Sequence, residues 1–172
     1  MIAVFCDRDG TLIDDVPYLN DPEGVRVIDD AVDALRGALD AGYEVVIITN
    51  QSGVARGLIT PEQLDAVNER VLAGLADRGV PVRDLRACVH GPDDGCECRK
   101  PMPGMILASA TELDIDLPRS VMVGDTERDV RAGEAAGVGI NWLLGPGPAP
   151  AGDTVFSGTW RELADHMGWN RG

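Results

Sequence analysis

The sequence predicts an α/β protein: one parallel sheet of five to six strands with helices on both faces. Three observations carry that expectation. Short apolar runs alternate with segments whose apolar residues recur at helical spacing, the pattern of βαβ units. The runs are continuous rather than alternating, as in strands covered on both faces. Polar residues able to do chemistry stand directly behind the runs, where open parallel sheets bind their ligands.

In chain order, "IAVFC" (2–6) reads as the first strand, because an acidic, turn-forming stretch follows it at once. Residues 29–41 place Ala31, Val32, Leu35, Ala38 and Leu39 at helical spacing, and Gly42 ends that helix. "YEVVIIT" (43–49) is the second strand and "NQSGVARGLI" the loop behind it. "TPEQLDAVNERVLAGLADRG" is a helix with Thr60 as N-cap, Pro61 in the first helical position, Gln63 closing a capping box and Gly79 as the stop. "LRACVH" (85–90) is the third strand and 103–113 a helix. "SVMVG" (120–124) is the fourth strand, "TERDVRAGEAAG" (126–137) a helix and "VGINWLL" (138–144) a fifth strand. "GPGPAPAG" (145–152) is a loop, and a closing helix covers about 159–168. No internal repeat or second core is visible, so residues 1–172 are expected to form a single domain.

Apolar residues make up 44% and charged residues 26%, which favours a soluble globular domain over a disordered chain. No apolar run approaches the roughly 20 residues of a membrane helix. The N-terminus turns acidic without a basic leader, so the expected location is the cytoplasm. A net charge of −14 opposes nucleic acid and anionic membranes. The expected partner is therefore a small molecule, and the expected state a monomer. A phosphate ester would need local cations to overcome the bulk field.

The residues behind the strands supply them. Asp7 and Asp9 follow the first strand two apart, so both side chains can face one pocket. Thr49, Asn50, Gln51 and Ser52 follow the second, "RKP" with Lys100 comes after the third, and Asp125 follows the fourth with Asp129 four residues on. So many carboxylates in one place are tolerable only around a divalent cation, and Mg²⁺ suits hard oxygen ligands. One carboxylate can then attack phosphorus while the other moves the proton. Thr49 and Lys100 can hold the phosphoryl oxygens.

"DRDGT", "TNQ", the lysine of "RKP" and "GDTERD", in that order, resemble the four motifs of the haloacid-dehalogenase (HAD) superfamily of phosphohydrolases. The resemblance implies a Rossmann-like three-layer HAD fold and a phospho-aspartate mechanism. It implies Asp7 as nucleophile and Asp9 as acid/base whose carbonyl also binds Mg²⁺. Asp125 is then the remaining Mg²⁺ ligand, with Asp129 supporting it from behind. "TNQSGVARG" and "CRKPMPGM" are similar to the heptose-bisphosphate phosphatase subgroup, which removes the 7-phosphate from D-glycero-D-manno-heptose 1,7-bisphosphate. That likeness implies no large cap domain and a substrate pocket of Asp15, Val16, Pro17, Tyr18, Thr49, Asn50, Gln51 and Ser52, with Arg99 and Lys100 recognising substrate. The short loop before Cys96 and Thr126 after Asp125 depart from that subgroup, and the first resembles the histidinol-phosphate phosphatases, which stay open as an alternative. A catalytically silent, zinc-stapled binding module is the alternative of another class.

Three of the four cysteines crowd into residues 88–98 beside one of two histidines. Cys88, His90, Cys96 and Cys98 form two ligand pairs around "GPDDG", the donor set of a closed, structural Zn²⁺ site. Zinc there would fix where Arg99 and Lys100 point. Cys6 reads as a buried strand residue and His166 as packing or surface. Trp142, Trp160 and Trp169 read as packing residues, the last near enough to the chain end to be poorly ordered.

Overall fold

The computed structural model describes residues 1–170. Six strands, β1 (Ile2–Cys6), β2 (Tyr43–Asn50), β3 (Asp84–Cys88), β4 (Val121–Gly124), β5 (Ile140–Leu144) and β6 (Val155–Gly158), form one sheet in the order β3-β2-β1-β4-β5-β6. Every neighbouring pair is parallel. The helices are α1 (Asp29–Asp40), α2 (Pro61–Ala76), α3 (Gly104–Leu113), α4 (Glu127–Ala136) and α5 (Trp160–Met167). Among the described residues no helix is long and apolar enough to cross a membrane.

Alternation along each strand divides the core. Val4, Cys6, Val45 and Ile47 turn to a layer with Leu35 of α1, Val67, Val71 and Leu75 of α2, and Leu163 of α5. Ala3, Phe5, Val46 and Ile48 turn to the opposite layer, with Ile106 of α3 and Ala132 of α4. Both faces of β1 and β2 are thus covered, which is why their sequences are unbroken apolar runs. Full burial of a side chain such as Ile47 contributes about 1.5–3 kcal/mol.

The Thr60–Gln63 capping box forms as the sequence implies, with Gln63 N–H donating to Thr60 Oγ1 at 3.1 Å and Thr60 N–H to Gln63 Oε1 at 2.9 Å. Three expectations need correction. The third strand ends at Cys88 rather than His90: the Cys88 carbonyl accepts from Gln51 N–H at 2.7 Å, and the chain then leaves the sheet for the Cys/His loop. The fifth strand begins at Ile140, because Val138 N–H is drawn back onto the Gly133 carbonyl of α4. Trp169 is not loose: it is 3% exposed and stands edge-on to Tyr43 at 5.2 Å. The sixth strand β6 extends the sheet beyond the five located individually, and its Phe156 stacks with Trp142 at 6.2 Å between centroids. His166 packs against the same two rings.

Candidate active site

Because all strands are parallel, their C-terminal ends share one edge. The winding reverses between β1 and β4, and a crevice opens at such a switch point. Asp7 lies one residue past β1, its N–H donating to Val123 O at 3.0 Å, and Asp125 lies one residue past β4. Two glycines let the acidic groups converge. Gly10 has φ +75°, and a Cβ there would meet Asp125 Oδ2 at 2.2 Å. A Cβ on Gly124 would meet the Asp129 Cβ at 2.2 Å.

One oxygen from each of Asp7, Asp125 and Asp129 lies within 4.8 Å of the others. Lys100 is 3% exposed, and its Nζ bonds Asp7 Oδ1 at 2.8 Å, Asp129 Oδ1 at 2.6 Å and the Ile48 carbonyl at 2.9 Å. Burial opposes its charge, yet Asp7 and Asp129 outweigh burial and raise its pKa. The other oxygen of Asp129 accepts from Thr126 N–H at 3.0 Å and Thr126 Oγ1 at 2.8 Å, capping α4. Both Asp129 oxygens are therefore engaged by protein donors, whereas Asp7 and Asp125 keep oxygens facing the cleft.

Asp7 shows what this arrangement costs. Burial lifts its pKa from 3.8 to about 7, with Lys100 opposing and Asp129 and Asp125 reinforcing. Burial and then Asp129 also raise Asp125. A divalent cation between them would relieve this repulsion, so the donor set fits Mg²⁺. A raised carboxylate pKa means the folded metal-free chain holds that proton more tightly than the unfolded one. Its contribution to stability is present below about pH 4 and is lost as pH rises through about 7. Mg²⁺, which needs the ionised form, is expected to raise Tm more at about pH 8 than at about pH 5.5. Equal shifts in paired melting curves would argue against a cation at Asp7.

The Asp9 carboxylate stands apart from that cluster. It accepts from Arg8 Nε at 3.2 Å, Arg8 Nη2 at 3.1 Å and Gln51 Nε2 at 2.8 Å. The surrounding cleft has a volume of about 370 Å³. Asp7, Asp9, Asp15, Val16, Pro17, Tyr18, Asn50, Gln51, Ser52, Lys100 and Asp125 all line it. Tyr18 sits in the left-handed region at φ 50° and is 47% exposed, a conformation that large residues adopt only when surroundings enforce it.

Two of the catalytic and substrate-binding residues named from sequence stand outside that wall. Thr49 is fully buried and its Oγ1 accepts from Gln51 Nε2 at 2.8 Å, leaving its own hydroxyl hydrogen free to donate. Arg99 lines an adjoining cleft with Lys100 and Arg128. Asn50 lines the main cleft, but its amide also clamps the Lys100 backbone: Nδ2 donates to Lys100 O and Oδ1 accepts from Lys100 N–H, both at 3.0 Å. Sequence reasoning passed over Arg8, which lies between the motif aspartates, and Arg128, which borders both clefts. The position of Arg128 inside the "GDTERD" stretch was the one available signal.

The Cys/His loop gathers its four side chains within 4.8 Å of one another. Cys88 Sγ lies 3.7 Å from Cys96 Sγ and 3.5 Å from His90 Nδ1, His90 Nδ1 3.2 Å from Cys98 Sγ, and Cys98 Sγ 3.0 Å from Cys88 Sγ. A zinc tetrahedron with ~2.3 Å bonds to sulfur has edges of about 3.5–3.8 Å; the contacts of Cys88 with Cys96 and His90 match these, and those of Cys98 are shorter. The donors fit Zn²⁺. Burial pushes the Cys88 thiol up to about 12. Burial also acts against ionising Cys96, but the Arg99 backbone N–H and neighbouring thiols outweigh it and bring it to about 7.

A parallel sheet wound about β1 and β4, with strand-end carboxylates facing one buried lysine, is the arrangement that the resemblance to HAD phosphohydrolases implies. A HAD-hydrolase-like family model matches residues 97–144. The chain is 40% identical over 172 residues to the D-glycero-β-D-manno-heptose-1,7-bisphosphate 7-phosphatase of Yersinia pestis, covering 95% of this chain and 92% of that one. It is 37% identical to the Escherichia coli K12 enzyme of the same name, with 95% and 90% covered. The crystal structure of D,D-heptose 1,7-bisphosphate phosphatase from B. bronchiseptica, complexed with magnesium and phosphate, superimposes with a TM-score of 0.84 at 32% identity, covering 97% and 98%. This chain belongs to the heptose-1,7-bisphosphate 7-phosphatase family of HAD-like hydrolases.

Proposed function

We propose that the protein removes the 7-phosphate from D-glycero-β-D-manno-heptose 1,7-bisphosphate through a phospho-aspartate at Asp7. The observation that carries this reading is the pairing of Asp7 with Lys100 at 2.8 Å beside Asp125, in a cleft bordered by a second cation-lined cleft. Asp7, Asp125 and the Asp9 carbonyl would hold Mg²⁺, which when bound neutralises phosphoryl charge. Lys100 holds phosphoryl oxygens, and Thr49, behind the wall of the cleft, steadies Gln51 through its Oγ1. Asp7 forms a bond to phosphorus as the ester bond breaks, and Asp9 gives its proton to the departing sugar oxygen. A water then attacks the acyl-phosphate, its proton passes to Asp9, and the Asp7 carboxylate is regenerated. Asp129 keeps Lys100 in place, and Cys88, His90, Cys96 and Cys98 would hold Zn²⁺, which when bound would tie down the segment that carries Arg99 and Lys100.

The adjoining cleft supports the bisphosphate over histidinol phosphate. Arg99 and Arg128 suit the second phosphate of a bisphosphate, whereas the ammonium of histidinol phosphate would meet two like charges. Comparison of kcat/KM for the two heptose bisphosphate anomers and histidinol phosphate tests this, and a preference for histidinol phosphate would overturn it. Arg128→Ala is expected to lower kcat/KM for the bisphosphate about 10–100-fold, the value of one charge-assisted hydrogen bond. Hydrolysis of a heptose 7-monophosphate should change little. An equal loss on both substrates would count against the subsite.

A further inference from the structure

We propose that Arg8 is the positioning residue for Asp9, holding its carboxylate in place for both proton transfers. The proposal rests on the reading of Asp9 as the acid/base. Arg8 is 1% exposed and heads the large side chains that are fully buried. A buried guanidinium is costly unless every donor is used well. Here Nε and Nη2 grip both oxygens of Asp9 at 3.2 and 3.1 Å, and Nη1 is anchored on Asn68 Oδ1 of α2 at 2.8 Å. Gln51 completes the grip from the second strand's loop, donating to Asp9 Oδ2. The result is a chain of contacts from α2 to the cleft that ends on one carboxylate.

The consequence lies in what Asp9 does not join. It stands two residues from Asp7, yet the acidic oxygens gathered for a cation come from Asp7, Asp125 and Asp129. A metal ion takes the lone pair that must accept the proton, whereas the three N–H donors on Asp9 leave one of its roughly four lone-pair sites, on Oδ1, for the proton. The planar fork of arginine fixes the plane and the direction of its partner, which a lysine ammonium cannot do. Arg8 thereby separates the carboxylate that moves protons from those that face the metal.

Misplacing Asp9 has a kinetic signature. Hydrolysis of the acyl-phosphate needs Asp9 to take a proton from water whatever the substrate. Formation of the acyl-phosphate needs its proton only when the leaving group is poor. With p-nitrophenyl phosphate and saturating Mg²⁺, Arg8→Met is therefore expected to release p-nitrophenolate in a burst equal to the enzyme present. Steady turnover should then be on the order of 100-fold slower than wild type, as loss of general acid–base help costs. With a sugar phosphate the variant should be slow without a burst, and Arg8→Lys should restore part of the turnover. Asp9→Asn serves as the reference. If it turns over like wild type, the acid/base reading falls and the proposal with it. If Asp9→Asn shows the burst while Arg8→Met turns over normally, or is slowed equally on both substrates with no burst, the role of Arg8 alone is refuted. Should Arg8→Met not fold, Asn68→Leu removes the anchor instead. A smaller burst of the same kind supports the proposal, and wild-type kinetics in that variant refute it.

Discussion

Asp7→Asn is expected to reduce phosphate release by on the order of 10⁴–10⁶-fold, the loss that follows when the attacking group of a covalent enzyme is removed. The effect should lie in kcat and should persist with every leaving group, since an amide cannot replace the attacking carboxylate. The fold should survive. Lys100 keeps Asp129 Oδ1 at 2.6 Å, and the repulsion that burial and Asp125 impose on an ionised Asp7 is removed. Phosphate release and a thermal melt measured on the same sample separate these effects. Wild-type turnover in a well-folded variant would contradict the assignment.

Cys98→Ser is expected to give the second large effect, this time on structure first. Cys98 stands two residues before Lys100, in a stretch between Cys88 and Gly104 without helix or strand. That stretch is held by the four-residue Cys/His cluster, by Gly104 N–H on Glu97 O at 3.0 Å and by the Asn50 clamp on Lys100. Structural zinc binds with about 10–16 kcal/mol in isolated fingers. Only part of that can appear here, because strands and helices supply most of both core layers, although Cys88 belongs to one layer and Cys96 and Cys98 pack against it. The expectation is loss of stoichiometric zinc by elemental analysis, a lower Tm, and activity reduced about 10–100-fold as Arg99 and Lys100 lose their bearing. A variant free of zinc yet fully active would refute the positioning role of the metal.

Most of the sheet and the acidic centre were legible because their signals are local. The continuous apolar runs of β1, β2 and β4 follow from burial on both faces. Asp7 and Asp125 each stand one residue past a strand end, so parallel topology alone brings them to one edge, whereas Lys100, in the irregular stretch after β3, is brought there by the Cys/His loop and the Asn50 clamp. The four cysteine and histidine donors were legible for the same reason, sharing an eleven-residue stretch. What escaped depends on distant parts of the chain. The strand order rests on pairings such as Phe5 with Met122, which no local pattern encodes. The short β6 has only one fully buried position, Val155, and so lacks an apolar run. Arg8 looks like a solvated charge between two aspartates until Asn68, sixty positions away, comes beneath it. Asn50 reads as a pocket residue, and its clamp on Lys100 spans fifty positions. Trp169 looks like a frayed end because its ring partner, Tyr43, comes from a distant part of the chain.

The central claim is that phosphate passes through a covalent bond to Asp7. Rapid acid quench of the Mg²⁺-loaded enzyme during turnover, followed by peptide mass mapping, reads that bond directly, and Asp9→Asn should make it accumulate. The expected result is one phosphoryl group on the peptide containing Asp7, formed and lost at rates that account for turnover. Phosphate released at full rate with no label on that peptide, or with the label on another residue, would contradict it.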